Sequence, residues 1–420
     1  MKTSRRVVIT GLGVVAPNGI GKEPFWQNMI AGKSAIDYIT AFDASAYPCQ
    51  VAGEVRDFDP TAFMTARKAK MMGRFSQLAI GATRLAFEDA NLTVNGDLSS
   101  STGIFYGTSI NGGGDIAARA LENLLRDGVA GIDPWAALEY PPHAPSSYIA
   151  IEFGIHGPAL SVSSNCCTGI DAINEGFKHI AEGASTVSVV GGCDAPIFPL
   201  AFGAFCALGA VTKRNDSPQN ASRPYDGLRD GLVVSEGAAT LILEELEFAQ
   251  ERGAHIYGEV LGHGSASEAI GMRKGDLSGK RMASAIAEAI HQAGLTPDDI
   301  DHVNAHGSSL LDYDICDTNA FKEALGQHAY RIPISSIKSM IGQPVSAAGT
   351  IQAVAACLSL RDQIVPPTIN QEVRDPQCDL DYVPNAARVA RVKHVLINGH
   401  SFGGSVAALV IGQTSVPSPK

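Results

Sequence analysis

No stretch of this 420-residue chain is apolar for long enough to cross a bilayer, and charged residues make up only 18% of it. The opening Met-Lys-Thr-Ser-Arg-Arg-Val-Val-Ile-Thr turns straight into a strand-like run. It lacks the apolar centre of a secretory leader, so a cytoplasmic location is expected. The eight cysteines have no regular spacing and no C-x-x-C or neighbouring histidine partner. Neither a disulfide framework nor a metal site is therefore expected, and a reducing compartment is. Basic residues are outnumbered, 32 against 43, for a formal net charge of −11. That balance disfavours nucleic acid, and any acidic partner needs a local basic patch. What is present suits a globular enzyme: 45% hydrophobic residues, enough for a large core or two packed domains, and 44 glycines spread along the chain.

Strand-like runs alternate with helical ones from end to end. The strand candidates are 6–11, 103–107, 160–164 and 187–191, then 257–262, 302–305, 394–398 and 407–411. Helical spacing occupies 75–90, 281–293 and 350–360. The alternation predicts an α/β architecture with buried sheets and covering helices. Comparable strand numbers in the two halves fit an internal duplication, although no repeat is readable in the residues. Gly11-Leu-Gly-Val-Val-Ala16 imitates a dinucleotide fingerprint. Pro17-Asn-Gly19 follows it where a helix should open, so a glycine-rich turn is expected there. The polar stretch Thr212–Leu232 reads as a long functional surface loop.

Cys166 carries the chemistry. It follows the apolar, β-branched run Pro158-Ala-Leu-Ser-Val-Ser-Ser-Asn165, and Ile170, Ile173, Phe177 and Ile180 after it have helical spacing. A cysteine at a strand-to-helix corner lies at the positive end of a helix dipole, which is expected to lower its pKa and expose a thiolate to substrate. A lone cysteine is as readily a packing residue, and three further segments decide the matter. Asn304-Ala-His-Gly-Ser-Ser309 places His306 just beyond a short strand. Ser335-Ser-Ile-Lys-Ser-Met-Ile-Gly-Gln-Pro-Val-Ser-Ala-Ala-Gly349 is a small-residue corner with Lys338 and Gln343. Asn398-Gly-His-Ser-Phe-Gly-Gly404 is a turn whose backbone N–H groups suit an oxyanion hole.

With these segments in order, the chain resembles the elongating β-ketoacyl-acyl-carrier-protein synthases of the thiolase-like superfamily. The likeness runs nearly end to end. It includes V-V-I-T-G-L-G-V-V-A-P-N-G, I-A-I-E-F-G-I-H-G-P, A-S-R-P-Y-D-G-L-R-D-G-L-V-V-S-E-G-A-A, N-A-H-G, S-S-I-K-S-M-I-G and S-F-G-G. The resemblance implies a five-layer αβαβα sandwich of two thiolase-like halves, residues 1–255 with the nucleophile and 256–413 with the histidine and oxyanion turn, then a flexible tail 414–420. It implies that Cys166 is acylated, that a malonyl thioester is decarboxylated, and that the resulting carbanion attacks the acyl-enzyme. His306 would manage the malonyl thioester and Lys338 would order the site. The N–H groups of Cys166 and His400 would form the oxyanion hole, with Phe205 and Phe402 in the acyl pocket.

Several positions depart from the family pattern. Gln343 stands where a second histidine is usual; a carboxamide donates hydrogen bonds but does not exchange protons near neutral pH. His400 stands at the expected place of a gating phenylalanine and is a candidate to supply part of the missing histidine's function. Gln352 replaces the acidic partner of the lysine, and Asp317 a glutamate. These changes suggest a specialised synthase. They leave open a non-elongating acyltransferase, in which Cys166 is acylated but malonate is not decarboxylated, and a chain-length-setting subunit of a heterodimer. The partner implied is an acidic acyl carrier protein that brings its own phosphopantetheine, so no resident cofactor or metal is expected. Arg67, Lys68, Lys70, Arg74, Lys213 and Arg214 are the docking candidates, and a homodimer or a heterodimer with a related subunit is implied.

Overall fold

The computed structural model describes residues 5–110 and 113–414. The expected flexible tail, apart from Thr414, lies outside the described residues.

Two copies of one β-α-β-α-β-α-β-β unit make up the fold. The first has β1 (Val7–Ala16), α1 (Arg74–Ala90), β2 (Thr102–Gly107), α2 (Ala144–Phe153), β3 (Ala159–Val162), α3 (Thr168–Ala181), β4 (Val187–Asp194) and β5 (Gly237–Glu245). The second has β6 (Gly258–Ser267), α4 (Lys280–Gln292), β7 (His302–Asn304), α5 (Leu311–Leu325), β8 (Ile334–Ser335), α6 (Ala348–Asp362), β9 (His394–His400) and β10 (Ser405–Gly412). The strand order is β3-β2-β4-β5-β1 in one half and β8-β7-β9-β10-β6 in the other, joined by the antiparallel pair β1–β6. Each half thus has the same order, with the same parallel and antiparallel neighbours. The duplication that leaves no readable repeat in the residues is plain in the topology.

Helices α3 and α6 lie against both half-sheets, while α1 covers the outside of one half and α4 and α5 the other. This is the αβαβα layering expected of a thiolase-like chain. The central layer accounts for the composition of α6, whose residues from Ala348 to Leu360 are all buried, so that it is apolar or small all round. β1 and β4 are buried along their whole length, which is why they read as continuous apolar runs rather than alternating ones. β5, a central strand between β1 and β4, was not foreseen; its Gly-Ala-Ala-Thr-Leu-Ile-Leu-Glu-Glu has no period that separates strand from helix.

Gly11 and Gly13 are not in a turn. They sit within β1, where a Cβ would come 2.3 Å from the Ala86 carbonyl and 1.9 Å from that of Ala82. In the second half, a Cβ on Gly262 or Gly264 of β6 would come 2.2 Å from the Ala289 carbonyl or 2.1 Å from that of Ala285. The G-x-G pairs let α1 and α4 approach their strands closely, one pair in each repeat.

The 212–232 segment matches expectation only in part. Residues 213–220 lie at the surface apart from Pro218, whereas 221–226, 229, 231 and 232 are buried, with Arg223, Asp226 and Arg229 paired inside the fold. Arg229 Nη1 lies 2.6 Å from Asp375, Arg229 Nε 3.4 Å from Asp314, and Arg223 Nη1 3.2 Å from Asp226. Among the described residues no helix is long and apolar enough to cross a membrane.

Candidate active site

Cys166 lies in a 3-10 turn, Asn165–Cys167, that runs directly into α3. Asn165 takes the left-handed conformation, φ 56°, and makes the corner sharp. Its amide donates to the Phe402 carbonyl at 3.4 Å. Ser401 completes this staple: its hydroxyl accepts from the Cys167 N–H at 3.1 Å and donates to the Ser164 carbonyl at 2.8 Å. The β9–β10 turn is thereby fastened to the nucleophile turn. Cys167 points into the central core, away from the cavity.

The structure brings the two halves together around one cavity. Cys166, Asn165 and Phe205 come from the first repeat, as do Leu232 and Val234 on the segment leading into β5, and His306, Ser308, Leu310, Tyr313, Gln343, Val345, His400 and Phe402 come from the second. Its free volume is about 20 Å³, little more than one water molecule occupies. An acyl chain therefore enters only if side chains such as Phe402 and Phe205, neither fully buried, move aside.

His306 is held from its backbone. Its N–H donates to Asn398 Oδ1 at 2.8 Å, and the Asn398 amide donates to Asp317 Oδ1 at 2.8 Å. Asp317 Oδ2 accepts from the Gly307 N–H at 2.9 Å and the Tyr225 hydroxyl at 3.0 Å. The imidazole is uncharged, since burial and the nearby Lys338 and His400 hold its pKa well below the usual range. Its Nδ1 accepts the His400 backbone N–H at 3.3 Å, so the ring proton is on Nε2. His306 is thus a neutral hydrogen-bond donor.

That same bond corrects one expectation. The His400 N–H is already committed to His306 and does not line an oxyanion hole. The Phe402 N–H, two residues on, donates to no group among the described residues. Nor is the His400 ring placed as a second catalytic histidine: its Nε2 lies 3.1 Å from Glu268, and the ring packs on Tyr313 at 4.1 Å between centroids.

Gln343 is fixed through its backbone, which bonds to Val233 and Ser235. Its side chain lines the cavity together with Cys166, while its Oε1 is buried without a hydrogen-bond partner among the described residues. Lys338 is fully buried and has no acidic partner in contact; Nζ donates to Gln352 Oε1 at 3.3 Å. Gln352 in turn donates to the carbonyls of Asn304, Ala305 and Asn398, so one carboxamide ties the lysine to the His306 strand and the β9–β10 turn. Burial draws the Lys338 pKa down to about 8.

The expected low thiol pKa is not found. Burial pushes Cys166 up to about 12, against the opposing pull of the Lys338 charge, its own N–H and Gln343. In the closed pocket desolvation dominates, so the resting nucleophile is a thiol.

The basic candidates are scattered in their roles. Arg74 is exposed but bonded to Glu236 and the Val55 carbonyl, and Lys68 pairs with Glu152. Arg67, Lys70 and Lys213 are exposed, and Arg214 is half-buried with a bond to the Leu228 carbonyl. Sequence reasoning missed Tyr313, Leu310 and Val234 in the cavity wall, which no spacing marks. It also missed Asp194, a buried carboxylate that accepts from Thr108, Ile110 and Ser346 and holds the Gln343 corner against the first repeat.

Comparison with known proteins matches this geometry to one family. Residues 4–249 match the beta-ketoacyl synthase N-terminal domain and residues 257–372 its C-terminal domain. The chain is 38% identical over 409 residues to 3-oxoacyl-[acyl-carrier-protein] synthase 2 of Coxiella burnetii, covering 97% of this chain and 99% of that one. It superposes with TM-score 0.91 and 33% identity, over 98% and 100% of the two chains, on a type II polyketide synthase acyl-carrier protein in complex with its ketosynthase bound to the hexaketide. The ishigamide ketosynthase/chain length factor aligns with TM-score 0.90 and 33% identity, over 98% and 100%. The chain therefore belongs to the β-ketoacyl synthase family of acyltransferases.

Proposed function

We propose that this chain condenses an acyl group held on Cys166 with a malonyl thioester on an acyl carrier protein. The observation that carries this reading is the convergence of Cys166, a neutral Nε2–H donor on His306 and the Gln343 carboxamide on one enclosed cavity. In the first half-reaction the Cys166 sulfur attacks the acyl thioester carbonyl, the carrier's thiol leaves, and the Cys166 proton passes to it. The N–H groups of Cys166 and Phe402 are the donors for the tetrahedral oxyanion. In the second, the malonyl C–C bond breaks and carbon dioxide leaves. The electron pair becomes an enolate whose oxygen accepts from His306 Nε2–H and the Gln343 amide. The enolate carbon attacks the acyl carbonyl, and the C–S bond to Cys166 breaks, releasing a thiolate that takes one proton from water to restore the resting thiol. Neither donor has to change its protonation state, so a glutamine suffices where proton exchange is not required. No step needs a resident cofactor; the phosphopantetheine arrives on the carrier.

The donor protein we infer is acidic, as acyl carrier proteins are, and Arg67, Lys70 and Lys213 are the exposed cations that remain for docking it. A dimer, with itself or with a related subunit, is supported by β3. This strand ends the sheet and has exposed residues along it, including Leu160, an unprotected edge suited to pairing with another chain. The eight free cysteines suit the reducing cytoplasm.

The second reading, an acyltransferase that stops after loading, rests on Gln343. Intact-mass spectrometry separates the two. With acyl carrier protein as donor, an acyl adduct forms on Cys166; adding malonyl-carrier protein discharges it as a β-ketoacyl product. An adduct that persists while malonate stays intact establishes the non-elongating reading instead.

A further inference from the structure

Outside the reacting groups, three buried side chains from distant parts of the chain converge. Glu268 follows the end of β6, Cys316 lies on α5 and His400 ends β9. Glu268 Oε1 lies 3.1 Å from His400 Nε2 and 3.7 Å from Cys316 Sγ, and the three ligand atoms all lie within 4.8 Å of one another. We propose that these residues form a metal site for a zinc-class divalent cation.

Geometry is the first argument. Bond lengths of ~2.0 Å to oxygen or nitrogen and ~2.3 Å to sulfur give tetrahedral edges of about 3.3 Å between N and O and about 3.5 Å between S and O. The observed 3.1 Å and 3.7 Å match these within a few tenths of an ångström. Hydrogen bonding is the second. Among the described residues, Glu268 Oε2 and both ring nitrogens of His400 are buried without a hydrogen-bond partner. The His400–Glu268 contact is close, yet it lacks the alignment of a donor–acceptor pair, so a simple imidazolium–carboxylate bond does not account for it. Charge is the third. A divalent ion with one carboxylate, one thiolate and one neutral imidazole is a neutral set, which suits a site sealed from water better than a carboxylate bonded only by the Cys316 thiol. The ligand types select the metal: a thiolate and an imidazole with one oxygen favour zinc over magnesium or calcium.

Three protein ligands leave a fourth position for an exchangeable ligand. An ion here ties the end of β6 and α5 to the strand that leads into the Phe402 turn, the movable wall of the acyl cavity. His400 also lines the acyl cavity, but metal uptake is read directly, so the test does not depend on the condensation reading.

The full-length protein, stripped by chelation and exchanged into metal-free buffer, is titrated with Zn²⁺ and separately with Co²⁺. Bound metal is measured by elemental analysis, and Co²⁺ by its thiolate charge-transfer and tetrahedral visible bands. About one equivalent of each ion per chain is expected, with a thiolate-to-cobalt band. Cys316→Ala abolishes that band, and Glu268→Gln weakens Zn²⁺ binding on the order of 100-fold or more. The wild-type protein is the deciding sample, so a variant that misfolds does not obscure the result. Folded wild-type protein that takes up less than about a tenth of an equivalent, or uptake unchanged by both substitutions, overturns the proposal.

Discussion

Replacing Gln343 by leucine separates its chemical role from its structural one, because the two effects have opposite signs. The carboxamide faces the cavity beside Cys166, while its Oε1 is buried with no partner among the described residues. Leucine is close in volume, so no large cavity opens. Removing an unsatisfied buried oxygen relieves a desolvation penalty of about 1–3 kcal/mol. Gln343→Leu should therefore be as stable as the parent, or more so, in thermal or denaturant unfolding. The rate should move the other way. Loss of one donor to a developing oxyanion costs roughly 2.7–4 kcal/mol, or 10²–10³-fold. That loss belongs to decarboxylation of malonyl thioester, measured as carbon dioxide release. Loading of Cys166 draws on the Cys166 and Phe402 N–H groups and should slow far less, as read by intact mass. A Gln343→Leu variant that condenses within threefold of the parent would refute the role assigned to this side chain. So would equal losses in loading and decarboxylation.

Other outcomes follow from the same contacts. Lys338→Met should slow alkylation of Cys166 by about threefold or more, since a one-unit rise in thiol pKa removes tenfold thiolate and restores about threefold nucleophilicity. The lysine loses its charge as pH rises through about 8, so the wild-type to mutant rate ratio should be largest below pH 8 and shrink above it; a ratio flat from pH 6.5 to 9.5 contradicts this. Asp317→Leu strips acceptors from Gly307, Tyr225 and Asn398 and should cost several kcal/mol, at about 1–3 kcal/mol for each donor left buried and unpaired. Unchanged stability in urea would exclude that network. Gly13→Ala and Gly264→Ala should each cost about 3 kcal/mol or more, the upper end of overpacking, because the clash is with backbone; a mild effect at either would break the equivalence of the repeats. Reversing Lys70 and Lys213 to glutamate should raise KM for carrier-bound substrate but not for a pantetheine mimic; equal effects on both would remove these residues from docking.

The alternation of apolar runs and helical periods was enough to read an α/β chain, because buried strands and amphipathic helices carry their periods locally. The motifs around Cys166, His306, Lys338 and Gln343 were legible for a similar reason, each being a short segment whose residue types are set by one corner of the fold. β5 was harder: surrounded by protein on all sides, it loses the period that betrays a half-buried element, whereas the helical spacing at 350–360 still marked α6. What no linear reading reaches is which groups are already used. The His400 N–H donates to His306, exposed Arg74 is ion-paired with Glu236, and Arg223 and Arg229 of the 212–232 segment are buried in ion pairs, none of which residue type alone reveals. The thiol pKa turned on desolvation in a closed cavity, a property of the surrounding packing rather than of the helix that follows. Glu268, Cys316 and His400 stand far apart in sequence, and only the folding of β6, α5 and β9 around one cavity puts their ligand atoms together. The residues by themselves determined the layered α/β fold and the chemistry at the corners of its strands; the tertiary structure alone decided how those corners meet, because hydrogen bonding, charge and burial at each depend on neighbours hundreds of residues away.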